Sequence, residues 1–222
     1  MKKIMFNDRY GLTQAVLEGR KTMTRRIIGE DIEVDWVRRG KVHIPIVGYK
    51  HRMLWMDCTE FLPDSGKFDY VAPQKYQPAY DWDEEVAIAQ SYRDIFDEAC
   101  AKDYWDDIYA AFRNALVSDK PGWRNKMFVR ADLMPHSIRI TNIKAERLQD
   151  ISEEDAMREG IRQCVVEYGD KKIVQWTYFG EKITTWFDSP REAFAALIDR
   201  ISGKGTWQRN PWVFAYTFEL IQ

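Results

Sequence analysis

The feature that most limits how this chain can fold is the placement of short β-prone runs on both sides of one long acidic stretch. Residues 41–47, 52–58, 67–71 and 85–92 are apolar-rich runs separated by Gly, Pro and Asp, and short runs broken by turn formers read as strands. Pro63-Asp64-Ser65-Gly66 is a turn signal between two of them, and 73–80 reads as a loop. Residues 95–117 differ: Phe96, Ala99, Cys100, Tyr104, Ile108, Ala111, Phe112 and Leu116 recur at helical spacing, while Asp94, Asp97, Glu98, Asp103, Asp106 and Asp107 fill the other face. That pattern predicts one or two amphipathic helices with a solvated acidic face. An acidic face repels phosphate, so nucleic acid is not expected there, and solvation explains the carboxylates better than a metal cluster. Strand patterns resume at 126–130 and 137–148. The expected class is mixed α+β with mainly antiparallel strands, not a helical bundle or a parallel sheet with alternating helices.

Local signals set the helices. Residues 8–18 read as a helix on which Tyr10, Thr13, Val16 and Leu17 share a face, with Gly19 where a left-handed cap is wanted. Ser152 is an N-cap candidate ahead of Glu153, Glu154 and Asp155, whose charges suit a helix N-terminus, and Gly160 is its stop. Ser189-Pro190-Arg191-Glu192 combines a serine cap, a first-turn proline and a glutamate three residues on. Residues 161–168 and 171–178 flank Gly169-Asp170 as a hairpin, 2–6 reads as a first strand, and 212–221 as a last one.

The helix over 8–18 delivers a basic and hydroxyl-rich stretch, Gly19-Arg20-Lys21-Thr22-Met23-Thr24-Arg25-Arg26. If it is extended, Lys21, Met23 and Arg25 point one way and Thr22, Thr24 and Arg26 the other. From Met1 to Arg26 seven cations face only Asp8 and Glu18, whereas the whole chain has a formal charge of -2. A near-neutral chain is not a whole-surface polyanion binder, which leaves a local patch at Arg20, Lys21, Arg25 and Arg26.

Other chemistries find little support. Cys58, Cys100 and Cys164 are few, odd in number and far apart, unlike a disulfide framework or zinc site. His43, His51 and His136 lack metal-binding context, so no metal or other cofactor is expected. No apolar run reaches membrane-spanning length, and Met1-Lys2-Lys3 is not followed by a signal-type apolar core. The expectation is a cytoplasmic protein with no membrane contact.

Gly19, Lys21, Thr24 and Arg26 form the pattern GxKxxTxR. This resembles the signature of the ASCH domain family, which belongs to the PUA-like β-barrels. The stretch from Ile151-Ser152-Glu153-Glu154-Asp155-Ala156 to Glu159-Gly160-Ile161 resembles that family's capped helix, and Asn210-Pro211-Trp212-Val213 resembles the closing strand of its phage- and prophage-associated members. The resemblance implies a single domain over 1–222: a partly open barrel with peripheral helices, a cleft at the GxKxxTxR loop, and insertions at about 95–118 (helical) and 162–187. It also implies a partner among RNA or modified nucleosides, with single-stranded DNA as a further candidate. Some small ASCH proteins resemble amidohydrolases acting on acetylated cytidine, so enzyme activity of that kind, or nuclease activity, stands as an alternative.

The residues themselves offer two uses of such a cleft. In binding, Lys21 and Arg26 take phosphate while a tryptophan such as Trp55 or Trp212 stacks a base. In catalysis, Lys21 as base takes the proton of Thr24, whose hydroxyl attacks an acyl carbon, and Glu159 protonates the leaving amine. A close Glu159 would oppose the first of these steps by stabilising the ammonium. A third expectation, a non-enzymatic accessory protein of a phage or mobile element, would show a large exposed apolar patch.

Overall fold

The computed structural model describes residues 1–29, 32–39, 42–49, 78–102, 122–168, 171–178 and 185–221. Its centre is a five-stranded sheet built from β1 (Lys2–Ile4), β2 (Met23–Gly29), β5 (Glu85–Ile88), β6 (Ser137–Arg147) and β9 (Trp212–Ile221), in the order β1-β5-β6-β9-β2. Among the described residues β1 and β5 run parallel and the other pairings of this sheet are antiparallel. Two hairpins stand apart in the pairing scheme: β3 (Ile32–Arg39) with β4 (Val42–Tyr49), and β7 (Arg162–Tyr168) with β8 (Lys171–Thr177). The architecture is mixed α+β with a mostly antiparallel sheet, as the alternation of β-prone runs predicts.

The sheet is not closed into a barrel; the family resemblance implies a partly open one. β1 and β2 are its edges and no ladder joins them among the described residues. It is nonetheless strongly curled. Five strands at about 4.8 Å spacing would put flat edges about 19 Å apart, far beyond the reach of one side chain, yet Arg26 Nη2 on β2 donates to the carbonyl of Met5, just past β1, at 2.6 Å. Arg26 lies opposite Phe214 in the ladder, on the face that also holds Thr24 and Tyr216, so this face is concave.

Helix boundaries follow their caps. α1 (Leu12–Leu17) is shorter than expected because Gly11, at φ 61°, separates it from a 3-10 turn at Asp8–Tyr10; Gly19 is left-handed at φ 71°, as the cap reading requires. α2 (Tyr92–Lys102) starts before residue 95 because Ser91 caps it, its hydroxyl accepting from Asp94 N, so the strand expected over 85–92 ends at Ile88. In α3 (Glu153–Arg158) Ser152 accepts from Asp155 N, and in α4 (Pro190–Ser202) Ser189 accepts from Glu192 N. α5 (Thr206–Arg209) is a single turn before β9.

Residues 126–130 are not a strand. They form a 3-10 turn in which Asn125 caps Met127 N. Lys126 is buried there, its ammonium bound to Phe6 O, Asp8 Oδ1 and Thr13 Oγ1. A buried ammonium must reach acceptors, and that need overrides local β propensity. The strands expected at 52–58 and 67–71, the turn at 63–66, most of the loop at 73–80, and residues 103–117 of the acidic stretch lie outside the described residues, as do Cys58, His51 and Trp55.

The core cluster takes Ile4, Val86, Ile88, Ile138, Ile140, Phe214, Tyr216 and Phe218 from the concave face, Val213 from the opposite face, and Leu12, Val16, Ala156, Phe194 and Leu197 from the helices. Ala87, on the opposite face of β5, forms a smaller cluster with Ile95, Val129 and Met134. No helix among the described residues is long and apolar enough to cross a membrane.

Candidate functional site

β2 presents different chemistry on its two faces. Arg25 lies opposite Ala215, on the convex face with Lys144 and Glu146 of β6. Its guanidinium is enclosed by three carboxylates: Nε and Nη2 donate to Glu146 Oε1 at 2.9 and 2.7 Å, Nη1 to Glu159 Oε1 at 3.0 Å, and Nη2 to Asp155 Oδ2 at 3.2 Å. Phe194 of α4 lies against the same group, its ring centre 6.0 Å from Cζ. α3 is placed for this role by its capped start at Ser152, which carries Asp155 and then Glu159 onto the sheet.

Lys21 completes the cluster from the segment before β2. It is 2% exposed, and its ammonium donates to Glu159 Oε2 at 2.6 Å, Glu159 O at 2.8 Å and Met23 O at 2.7 Å. Burial pulls its pKa below the ordinary lysine value, and the Glu159 carboxylate opposes that pull. Three acceptors for one nitrogen match the three N–H bonds of an ammonium; a neutral amine has only two. The Arg25 guanidinium is held above the usual arginine pKa because Glu159 and Glu146 outweigh its desolvation. Two buried cations thus meet two buried carboxylates, Glu146 and Glu159, with Asp155, Arg158 and Lys144 at the rim.

The concave face is aromatic. Along β9 the residues Trp212, Phe214, Tyr216 and Phe218 share this face, since strand side chains alternate. Thr24 sits opposite Tyr216 and Arg26 opposite Phe214. Tyr80 meets Tyr216 edge to face at 5.4 Å, and the Tyr216 hydroxyl accepts from Ala79 N at 2.8 Å. Burial pushes the Tyr216 pKa up to about 12, so it stays a phenol whose own proton remains to donate. Arg26 is half-buried; beyond its bond to Met5 O, its buried Nε has no hydrogen-bond partner among the described residues.

The structure brings together Lys21 and Glu159, two members of the expected catalytic set. Thr24 is not joined to them: among the described residues no hydrogen bond links it to Lys21 or Glu159, and it occupies the face of β2 opposite Arg25. The four cations expected to form one basic patch are dispersed. Lys21 and Arg25 are buried in ion pairs, Arg20 pairs with Glu18 at 2.5 Å, and Arg26 alone turns to the concave face. Trp212 has Arg147 over its ring at 4.6 Å.

Glu146, Tyr80 and Tyr216 escaped the sequence reading, which took Asp155 for a helix-start charge alone. Glu146 had a weak signal, an acidic residue alternating with Lys144 on one face of a strand, which reads as a local surface pair. Tyr80 and Tyr216 had none beyond their residue type. Among the described residues no group of three or more potential metal ligands occurs. A scan against protein-family models and searches of curated proteins and of solved structures returned no match.

Proposed function

We propose that the chain binds a nucleoside, free or within RNA, at the seam between β1 and β2 of its curled sheet, with the half-buried Arg26 as polar anchor and the buried Tyr80 and Tyr216 packed behind it. In this reading the sheet is an open variant of the PUA-like barrel and the chain an ASCH-type protein, a reading supported by the GxKxxTxR, capped-helix and closing-strand motifs and by the curl. The observation that carries it is the Arg26 guanidinium. One of its nitrogens spans the gap between the sheet edges to Met5 O while the buried Nε has no acceptor among the described residues. An unpaired buried donor costs about 1–3 kcal/mol, and a base carbonyl or a phosphate oxygen would satisfy it. The Tyr80 and Tyr216 rings, buried and packed edge to face, form an apolar wall beside that donor.

Lys21, Glu159, Arg25 and Glu146 then act as the support that fixes β2 against α3, not as the ligand contact. Binding is favoured over amide hydrolysis because a lysine base must be neutral, whereas the acceptors around Lys21 suit the ammonium. The test is equilibrium titration with uridine and cytidine monophosphates and with a short RNA, using wild type and Arg26→Gln. The expected result is at least a tenfold loss of affinity in the variant, measured at a temperature where both proteins are folded. Equal affinities, or no binding by wild type at millimolar nucleotide, would reject the reading.

A further inference from the structure

The hairpin of β7 and β8 stands on a fixed foot. There Ile161 and Thr177 are buried, the Thr177 hydroxyl donates to Thr185 O at 3.1 Å, and Trp176 and Phe187 exchange backbone hydrogen bonds. Beyond the foot both faces meet solvent. Ile173 and Val174 are neighbours in one strand and so point to opposite faces, yet they are 43% and 40% exposed; Val165, opposite Val174 in the ladder, is 55% exposed. Strand propensity alone does not require valine at such positions, since threonine meets it equally.

β7 is also an open edge. β8 pairs with it on one side, and among the described residues no strand pairs with it on the other. Brevity, proline, bulges and charge normally keep edge strands from joining one another. Elsewhere in the chain such devices are present: β1 is three residues long with Lys2 and Lys3, β2 bulges between Ile27 and Gly29, β4 contains Pro45, and β8 carries Lys171 and Lys172. β7 has seven residues in unbroken register with no proline, glycine or lysine, and its charges, Arg162 and Glu167, stand only towards its ends.

We propose that β7 pairs antiparallel with β7 of a second copy of the chain, about a two-fold axis at Val165, to make a four-stranded sheet. Val165 is the midpoint of Arg162–Tyr168, so no other two-fold register pairs all seven residues. It aligns Val174 and Val165 with Val165 and Val174 of the second copy in one row across the sheet. On the same face it sets Gln163 opposite Glu167 of the second copy, and it opposes no like charges along β7. Two-fold pairing covers both β7 edges at once, so assembly closes at two chains. A foreign strand would meet the same edge without this self-complementarity. The pairing does not depend on the ligand reading at Arg26, which lies on a different sheet.

Sedimentation velocity of the full chain, from micromolar to sub-millimolar protein, tests it. Wild type should pass from one chain mass to twice that mass and no further. Val165→Lys sets two lysines opposite each other on the axis, where like charges repel most directly, and should weaken dimerisation at least tenfold. Val174→Lys adds the same charge one strand further from the axis and should weaken it much less. Gln163→Lys should tighten the dimer by facing Glu167 of the second copy, and Gln163→Glu should loosen it; a tightening is a result that misfolding does not imitate. A wild type that stays monomeric throughout, equal effects of lysine at 165 and 174, no response to either change at Gln163, or growth past two chains would overturn the proposal.

Discussion

Glu159 faces two buried cations at once, Lys21 through one carboxylate oxygen and Arg25 through the other. Removing its charge leaves both without their shared partner, and breaking a buried pair in this way costs about 3–5 kcal/mol. Glu159→Gln should therefore lower unfolding free energy by that order in urea titration. Lys21→Met should cost less, because Glu159 keeps Arg25 and the methionine fills similar volume. The reverse ranking would mean that Lys21, not Glu159, organises the cluster. Tyr216 gives a second residue-scale expectation. Its folded pKa is raised to about 12 from 10, so between those values the unfolded chain loses a proton that the folded chain keeps. The tyrosine's stabilising contribution is complete below pH 10 and is lost as pH rises towards 12. The difference in alkaline ultraviolet titration between wild type and Tyr216→Phe should then show one phenol ionising near pH 12; ionisation near 10 would contradict the packing around it. The cations at Lys21 and Arg25 could be read from the sequence, but their fate could not. Their partners Glu146, Asp155 and Glu159 lie more than a hundred residues away, and only the register of β2, β9 and β6 brings them together.

At the scale of elements, the stop of α3 is where helix geometry and the ion cluster meet. Gly160 has φ 107°, and a Cβ there would lie 3.3 Å from Leu12 Cδ2 and 3.7 Å from Lys21 Cδ. Gly203, at φ 104°, has nothing within 4 Å of the same position. Both substitutions to alanine carry the backbone strain of about 1–3 kcal/mol, so their difference reads chiefly the tight contact with Leu12. Gly160→Ala should melt at a lower temperature than Gly203→Ala; equal melting temperatures would show that Leu12 of α1 yields freely. The helix starts at Ser152 and Ser189 were legible because a cap is a local bargain between one side chain and one backbone N–H. The expected strand at 126–130 failed for the opposite reason. Lys126 is fixed by acceptors in residues 6–13, which no window around it contains.

For the whole molecule, the sequence pattern predicted strand-rich α+β architecture but not how far the sheet would close, since closure depends on strand order and curl rather than on any run of residues. Among the described residues the seam between β1 and β2 is bridged by a side chain, Arg26, and by no ladder, and the ligand reading depends on that arginine's remaining donor. The Nε–H of Arg26 can be observed directly by proton–nitrogen correlation NMR and assigned by its absence in Arg26→Gln. On titration with uridine monophosphate, that resonance should shift progressively and saturate with the same dissociation constant as the bulk binding curve. A ligand that binds while leaving the Arg26 Nε–H resonance unmoved would contradict the site.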